Sequence, residues 1–433
     1  MMQLRSSDGR SVSIEGTRRE RQITGLLTVV FAAYLLAEPL LTFVTVRTFI
    51  DGAGVYLRLY AASYGIVLLL AVLLTSTMHK QRLGFRGSRL CDLTAIAAGI
   101  YWTGESVLGL LLGNTLGYWV STSFNYLVPV LCYVAVRQLR TPELLDILAR
   151  RAAWLGALAA PGSLLAVLYA LSQGFVGAGG IIHVFPVTAG LVLTGSGSWM
   201  AGLASMLVGS LTVIFSLKRA VWGILALLPL VYLMVAGVSA RRIFRLAVAL
   251  VFLVGVAFMF RDQLPAAVDL EVLSARLESI QTETAGFTSG QAREDEARSI
   301  WRHTVARGTP LSALFGWGMG ATYTYSQAST TGAVEEKAHD SHFTPTAWLL
   351  RGGLVGVGVN LLFYGALLSA GWRAVRSAGV QHVSWCAPYM TFFVLAVIAS
   401  TTSFSLTPNP VTHLAAFLVL QRSAVHSLSR TTS

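Results

Sequence analysis

The chain has 433 residues, 54% of them hydrophobic and only 12% charged, with a mean hydropathy of +0.64, whereas a soluble domain carries about a quarter charged residues. That excludes a soluble globular protein, and three unpatterned cysteines exclude a disulfide scaffold or a cysteine-based zinc site. The net charge of +12 would suggest nucleic acid in a soluble chain, but residues 261–342 carry net −4 and the rest +16, spread through short loops between apolar runs. The basic surplus therefore points to a lipid bilayer and to no nucleic-acid partner.

In chain order, residues 1–22 hold Arg5, Arg10, Arg18, Arg19 and Arg21 without a signal-peptide cleavage pattern and read as a retained cytoplasmic tail. Apolar runs suited to membrane helices, which need about 20 residues, follow at 23–46, 55–78, 93–112, 116–136, 152–171, 197–216, 221–238, 243–260, 345–370, 387–405 and 409–421. Alternation from an inside N terminus leaves the basic segments 79–89 and 137–151 in the cytoplasm, as the positive-inside rule requires. Eleven spans, however, would turn the acidic 261–342 segment inward and Arg373, Arg376, Arg422 and Arg430 outward. Residues 178–194, marginal in hydropathy because of Gly179, Gly180, His183 and Pro186, supply the missing span.

The predicted fold is thus an all-α polytopic membrane bundle of about twelve transmembrane helices with one large external loop containing short helices. Helices one to nine occupy 23–260, the extracytoplasmic loop 261–342, helices ten to twelve 343–421, and a cytoplasmic tail 422–433. On this topology the external basic residues outside the large loop are Arg47, Arg58, Lys218, Arg219 and Arg351. No convincing internal repeat is visible.

Within the loop, Ala297, Ile300, Trp301 and Val305 recur at helical spacing and Glu294 to Arg298 is an i,i+4 ion pair, which predicts an amphipathic helix on the membrane surface or capping the bundle. Gly316, Gly318 and Gly320 alternate in a G-x-G-x-G run that lacks the strand and βαβ unit of a nucleotide site; a tight loop needing positive φ is expected instead. His339, Asp340 and His342 then lead straight into the apolar run that carries Gly352, Gly353, Gly356 and Gly358, spaced for close helix approach. A histidine at that boundary can take a proton from a hydroxyl near neutral pH, or simply suit a polar interface. Glu38, Glu105 and His183 lie in apolar spans, where a charge costs about 2.5–3.5 kcal/mol. They suit a polar groove, local hydrogen bonding, or an ion pathway.

These segments resemble the O-antigen ligase and polymerase family of membrane glycosyltransferases. The family has a His followed ten to eleven residues later by Gly-x-x-Gly in an apolar helix, and His342 is followed by Gly353 and Gly356. Its preceding loop has Arg, Trp, Pro and a glycine-rich turn, matched by Arg298, Trp301, Pro310 and Gly316 to Gly320; its external Ser-Arg pair is matched loosely by Lys218 and Arg219.

The resemblance implies transfer of a glycan from a polyprenyl-diphosphate donor to a hydroxyl of a glycan or glycolipid acceptor, at the outer face of a bacterial-type cytoplasmic membrane. It implies His342 as the catalytic base. The leaving diphosphate would be met by Arg219 and Arg298, with Lys218 and Arg351 as further cations and His339 and Asp340 in support. Clustered aspartates for a divalent ion are missing from the sequence, so neither metal nor cofactor is expected. Arg219 would alternatively be a cytoplasmic anchor, Arg298 a surface ion pair, and the whole chain a transporter or flippase of lipid-linked sugars.

Overall fold

The computed structural model describes residues 3–5, 11–51, 89–173, 181–216, 219–236, 289–329, 332–338, 344–377, 383–400 and 410–431. The predicted spans at 55–78 and 243–260 lie outside these residues. A short antiparallel pair, β1 (Gln3–Arg5) with β2 (Ser11–Ser13), leads into the 38-residue α1 (Ile14–Asp51). Then come α2 (Arg89–Leu111), α3 (Leu116–Val136), α4 (Pro142–Ser172), a 3-10 turn at Ile181–Val184 running into α5 (Phe185–Gly195), α6 (Trp199–Phe215) and α7 (Arg219–Ala236). The loop region supplies α8 (Ser289–Trp301), a π turn (Arg302–Ala306), α9 (Pro310–Phe315) and an antiparallel hairpin of β3 (Tyr323–Ser329) and β4 (Gly332–Ala338). The chain then forms α10 (Thr344–Arg376), α11 (Cys386–Ser400) and α12 (Pro410–Thr431).

Three of these helices, α3, α4 and α10, are long and apolar enough to cross a membrane, and shorter apolar helices occupy 182–195, 199–215, 221–236 and 386–400. Hydropathy located the helices well and their ends less well. α1 starts at Ile14 rather than 23, because the Arg/Glu-rich run before the apolar stretch continues the helix. α4 starts at Pro142 rather than 152, with Thr141 extended before it, proline in the first turn and Glu143 against the helix dipole.

One end of the bundle is a clasp of charged side chains. Asp92 at the start of α2 takes the Arg137 guanidinium at 2.9 and 3.0 Å and the Tyr133 hydroxyl at 2.7 Å. Arg137 also donates to Gln421 of α12, whose amide in turn donates to the Leu139 carbonyl. Asp146 of α4 accepts from Trp385 Nε1 at 3.0 Å and Arg422 Nε at 3.2 Å, and Glu20 of α1 accepts from the Arg140 and Thr141 amides. Helix direction follows from these anchors: α2 and α4 leave the clasp, α3 and α12 return to it. α7 also returns, since Met234 near its end accepts from Arg376 at the end of α10, so Arg219 begins α7 at the opposite end.

The predicted sixth span is a buried helical segment. Ile182 to Gly190 are buried, and α5 runs toward the clasp, where Gly195 packs on Ser384 beside Trp385. Gly190, Gly202 and Gly209 let α5 and α6 touch backbone to backbone or nearly so; a methyl at any of them would collide with the partner helix. At 15 residues the segment is about 23 Å long, shorter than a bilayer core of about 30 Å. Cys91, Cys132 and Cys386 are buried and form no disulfide.

Candidate functional site

The end opposite the clasp is organised by a break in α10. Gly353 has φ 56° and ψ −160°, a conformation essentially reserved for glycine, and divides the helix into 344–352 and 354–376. The break is sharp. Trp348 and Tyr364 are sixteen residues apart and would be about 24 Å apart along a straight helix, yet their rings stack at 5.5 Å with 9° between planes. The first half therefore folds back on the second, and the apolar run read as one helix over 345–370 is a re-entrant segment followed by a membrane-length helix of about 35 Å.

Breaking a helix orphans the carbonyls before the break, and here three of them find donors outside the helix. Trp317 N donates to Leu350 O at 2.9 Å, Gly318 N to Arg351 O at 3.0 Å, and the Tyr101 hydroxyl of α2 to Gly352 O. The glycine-rich turn after α9 thus completes the ladder that Gly353 interrupts. Gly316, Gly318 and Gly320 all have positive φ, between 71° and 78°, as the spacing predicted. A Cβ at Gly316 would strike the Arg351 carbonyl, at Gly318 the backbone of Gly109, and at Gly353 the Leu314 and Gly316 backbones. Asn114, just past the positive-φ Gly113 that ends α2, donates to both Trp317 O and Met319 O at 2.9 and 2.8 Å. Met319 N donates to Glu105 O at 3.1 Å.

Of the four glycines expected to admit a neighbouring helix, Gly352 and Gly356 do so, lying against Tyr101 and Trp102 of α2. Gly353 instead makes the break, and a Cβ at Gly358 would meet nothing within 4 Å among the described residues. Arg351, expected as an external cation, is 3% exposed. Its Nη1 donates to the Tyr126 hydroxyl of α3 at 3.1 Å, and its guanidinium carbon lies 5.5 Å from the centre of that ring. Glu105 is buried beneath the glycine turn; it interacts with Tyr101 one helical turn away, while its Oε2 has no hydrogen-bond partner among the described residues.

α8 and its neighbours form a small body fixed to the re-entrant half of α10. Ile300, Ala321, Tyr323, Leu349 and Leu350 share one core, with Val305 and Trp317 against it. Glu296 is buried and accepts from the Tyr323 hydroxyl, and Ser299 donates to Thr324 O at 2.6 Å. On α8, Ile300 is buried, Trp301 is 49% exposed, and Glu296 takes a buried position beside them. The predicted Arg298–Glu294 pair forms at 2.6 Å, with Asp295 at 3.8 Å, on the exposed face. His303 stacks on Trp317 at 5.0 Å, and partial desolvation there lowers its pKa from 6.5.

Among the other predicted site residues, Arg219 has its backbone at the start of α7 and its side chain outside the described residues. Lys218, His339, Asp340, His342 and the Glu38 side chain also lie outside them. The described chain on either side of 339–343 is fixed at this end: Ala338 pairs with Tyr323, and Thr344 opens the re-entrant half of α10. Sequence reasoning missed Tyr101, Asn114 and Tyr126, whose roles depend on partners more than 200 residues away. Paired glycines at 352 and 353 inside an apolar run were the available signal for the break. A scan against models of known protein families gives no match, and a search of curated proteins finds no significant relative.

Proposed function

We propose that the chain is a polytopic membrane glycosyltransferase of about twelve spans that moves a glycan from a polyprenyl-diphosphate carrier to an acceptor hydroxyl, as a surface polysaccharide ligase or polymerase. The observation that carries the reading is the docking of Gly316–Gly320 into the break at Gly353. The two halves of the motif that resembles the O-antigen ligase and polymerase family, far apart as sequence patterns, are one backbone unit at the end of the bundle where α7 also begins. The alternating helix directions agree with cytoplasmic termini and an extracytoplasmic 261–342 segment.

In this reaction the acceptor oxygen attacks the anomeric carbon, the bond from that carbon to the diphosphate oxygen breaks, and the acceptor proton passes to His342. Polyprenyl diphosphate leaves with its charge met by Arg219 and Arg298, with Lys218 as a further cation and His339 and Asp340 supporting the base. A preorganised donor of this kind contributes about 3–4 kcal/mol to the transition state. In proteoliposomes supplied with a lipid-diphosphate-linked glycan and a glycolipid acceptor, His342→Ala is expected to lower transfer at least about a hundredfold while insertion and thermal midpoint hold. A fully active His342→Ala protein ends the proposal. Arg219→Cys, in a background lacking the buried native cysteines, should react with an impermeant thiol reagent from outside; labelling only from the cytoplasmic side would overturn the topology.

A second reading, a transporter or flippase of lipid-linked sugars, is favoured by one feature: a broken helix beside a buried carboxylate, Glu105, the arrangement of discontinuous helices around transporter sites. It predicts lipid-linked sugar movement that Glu105→Gln abolishes and His342→Ala leaves intact.

A further inference from the structure

α9 is amphipathic in the reverse sense to a water-facing helix. Its inner face is polar: Ser312 is buried, its amide donates to the capping Thr309 Oγ1 at 3.2 Å and its hydroxyl to the Thr309 carbonyl at 2.9 Å. Its outer face is apolar, with Leu311, Leu314 and Phe315, at i, i+3 and i+4, exposed to 69%, 44% and 41%. A surface helix in water turns its apolar stripe to the core, and a clustered apolar face left outside marks a contact surface.

The fold sets the level of this face. α3, with 21 residues, is about 32 Å long and matches a bilayer core of about 30 Å. Its start is tied to the turn that follows α9: Asn114 holds the Trp317 and Met319 carbonyls, and Gly320 lies on the Trp119 backbone. The second half of α10 gives the same level. Arg373 near the clasp and Leu354 are nineteen residues apart, about 29 Å along the helix, and Gly353 beside Leu354 lies against the Leu314 backbone. Leu354, Leu361 and Leu362, exposed at i, i+7 and i+8, form an apolar stripe along this spanning half. On the same face, a Cβ at Gly358 or Gly365 would meet nothing within 4 Å among the described residues. The outer face of α9 therefore adjoins the far end of that stripe, one bilayer core away from the clasp.

The chain leading into α9 is basic and aromatic. Trp301, Arg302 and Arg307 are exposed, and the two arginines pair with no acid among the described residues. Residues 297–334 contain no Asp or Glu at all. Exposed Trp and Arg beside an apolar helix face suit the membrane–water boundary and its anionic phosphates. We propose that α9 is an interfacial anchor: Leu311, Leu314 and Phe315 enter the headgroup–acyl boundary of the leaflet at this end of the bundle, and Arg302 and Arg307 meet the phosphates of anionic lipids. Bilayer lipid is the occupant that accounts for both the level of the face and its continuity with the exposed stripe of α10. The contact requires only that α3 and α10 cross a bilayer, and it is the same for either reading of the activity. Because α9 runs directly into the Gly316–Gly320 turn, the anchor seats that turn, and with it the break at Gly353, at the membrane surface.

The test uses the full chain in lipid nanodiscs, in a background lacking the buried native cysteines, with a nitroxide attached at Leu311→Cys or Phe315→Cys. Leu361→Cys in the α10 stripe and Glu294→Cys on the exposed face of α8 give the lipid and water references. Oxygen partitions into lipid and a nickel chelate does not. At 311 and 315 the ratio of collision rates with the two should be several-fold above that at 294 and approach that at 361. A ratio equal to that at 294 would overturn the anchor, as would labels shielded from both reagents, the result expected of a protein partner or a second copy. A water-like ratio at 361 as well would overturn the spanning of α10 and the anchor with it. Adding phosphatidylglycerol to phosphatidylcholine discs should deepen the 311 label, a shift that Arg302→Gln with Arg307→Gln removes; immersion indifferent to anionic lipid would overturn the phosphate contact. The unsubstituted protein gives an independent readout in discs whose acyl chains carry a photoactivatable carbene precursor near the headgroup. Adducts should fall within 310–315 and 354–362 and spare 292–299; adducts on α10 with none on α9 would overturn the anchor.

Discussion

The two ends of the bundle are held by opposite means. At the clasp, ionised side chains from α2, α3, α4 and α12 reach across helix ends: Asp92 with Arg137, Asp146 with Arg422. At the other end, main chain meets main chain, and the glycines at 109, 316, 318 and 353 permit contacts that any Cβ would prevent. Side-chain clasps tolerate small displacements because long side chains can follow. Backbone docking does not. The rigid end is also the end where the proposed chemistry is located, consistent with the general need to hold reacting groups within fractions of an ångström.

Two substitutions probe the contrast most strongly. Asp92→Ala leaves the Arg137 guanidinium, only 12% exposed, without its carboxylate; breaking a buried pair from one side costs about 3–5 kcal/mol, and the thermal midpoint in detergent should fall accordingly. The loss should be spread over the helices that meet at the clasp, with the amides of 316–320 still protected from hydrogen exchange. Gly353→Ala attacks the other end. A side chain at that φ costs about 1–3 kcal/mol before the collision with Leu314 and Gly316 is counted, so about 3 kcal/mol is expected, with exchange protection lost selectively over 314–320. If both variants lost protection uniformly, the two ends would not be separate devices.

Asn114→Ala sharpens the comparison at lower amplitude. It removes both side-chain donors to the glycine turn and leaves the Trp317 and Met319 carbonyls short of a partner. A loss of about 1–2 kcal/mol is expected, read as faster exchange of the turn amides. Unchanged exchange there would mean that the glycine contacts alone hold the turn.

Helix positions were legible because an apolar run of about 20 residues has few alternatives; 116–136 was located to the residue. The positive φ of Gly316, Gly318 and Gly320 was legible too, since alternating glycines need a local reason that does not depend on the fold. The break in α10 was not, because Gly353 lies in an unbroken apolar run and hydropathy averages over it. Nor was the burial of Arg351, which depends on α3 and on the re-entrant turn. Nor was the burial of Glu296 on α8, which depends on β3 placing Tyr323 against it.

The smallest expected effects concern the surface of the loop body. Arg298→Ala removes an exposed ion pair of about 0.2–1 kcal/mol at most, so the melting midpoint should barely move, and salt should remove what difference exists. A large destabilisation would show that Arg298 has a structural duty beyond the pair. His303 gives a pH-dependent counterpart. Its pKa in the folded protein is below 6.5 because partial desolvation against Trp317 disfavours the charged ring. The unfolded chain therefore binds more protons, and the stacked, neutral form contributes its full stability above about pH 6.5. That contribution declines as pH falls toward the folded value. Exchange over 302–317 should accelerate between pH 7.5 and 5, an acceleration that His303→Gln, whose amide does not titrate, should abolish once intrinsic chemical exchange is corrected for. The clasp end, whose described ion pairs contain no histidine, should show no matching change in that window, so a uniform pH response would dissolve the distinction between the two ends.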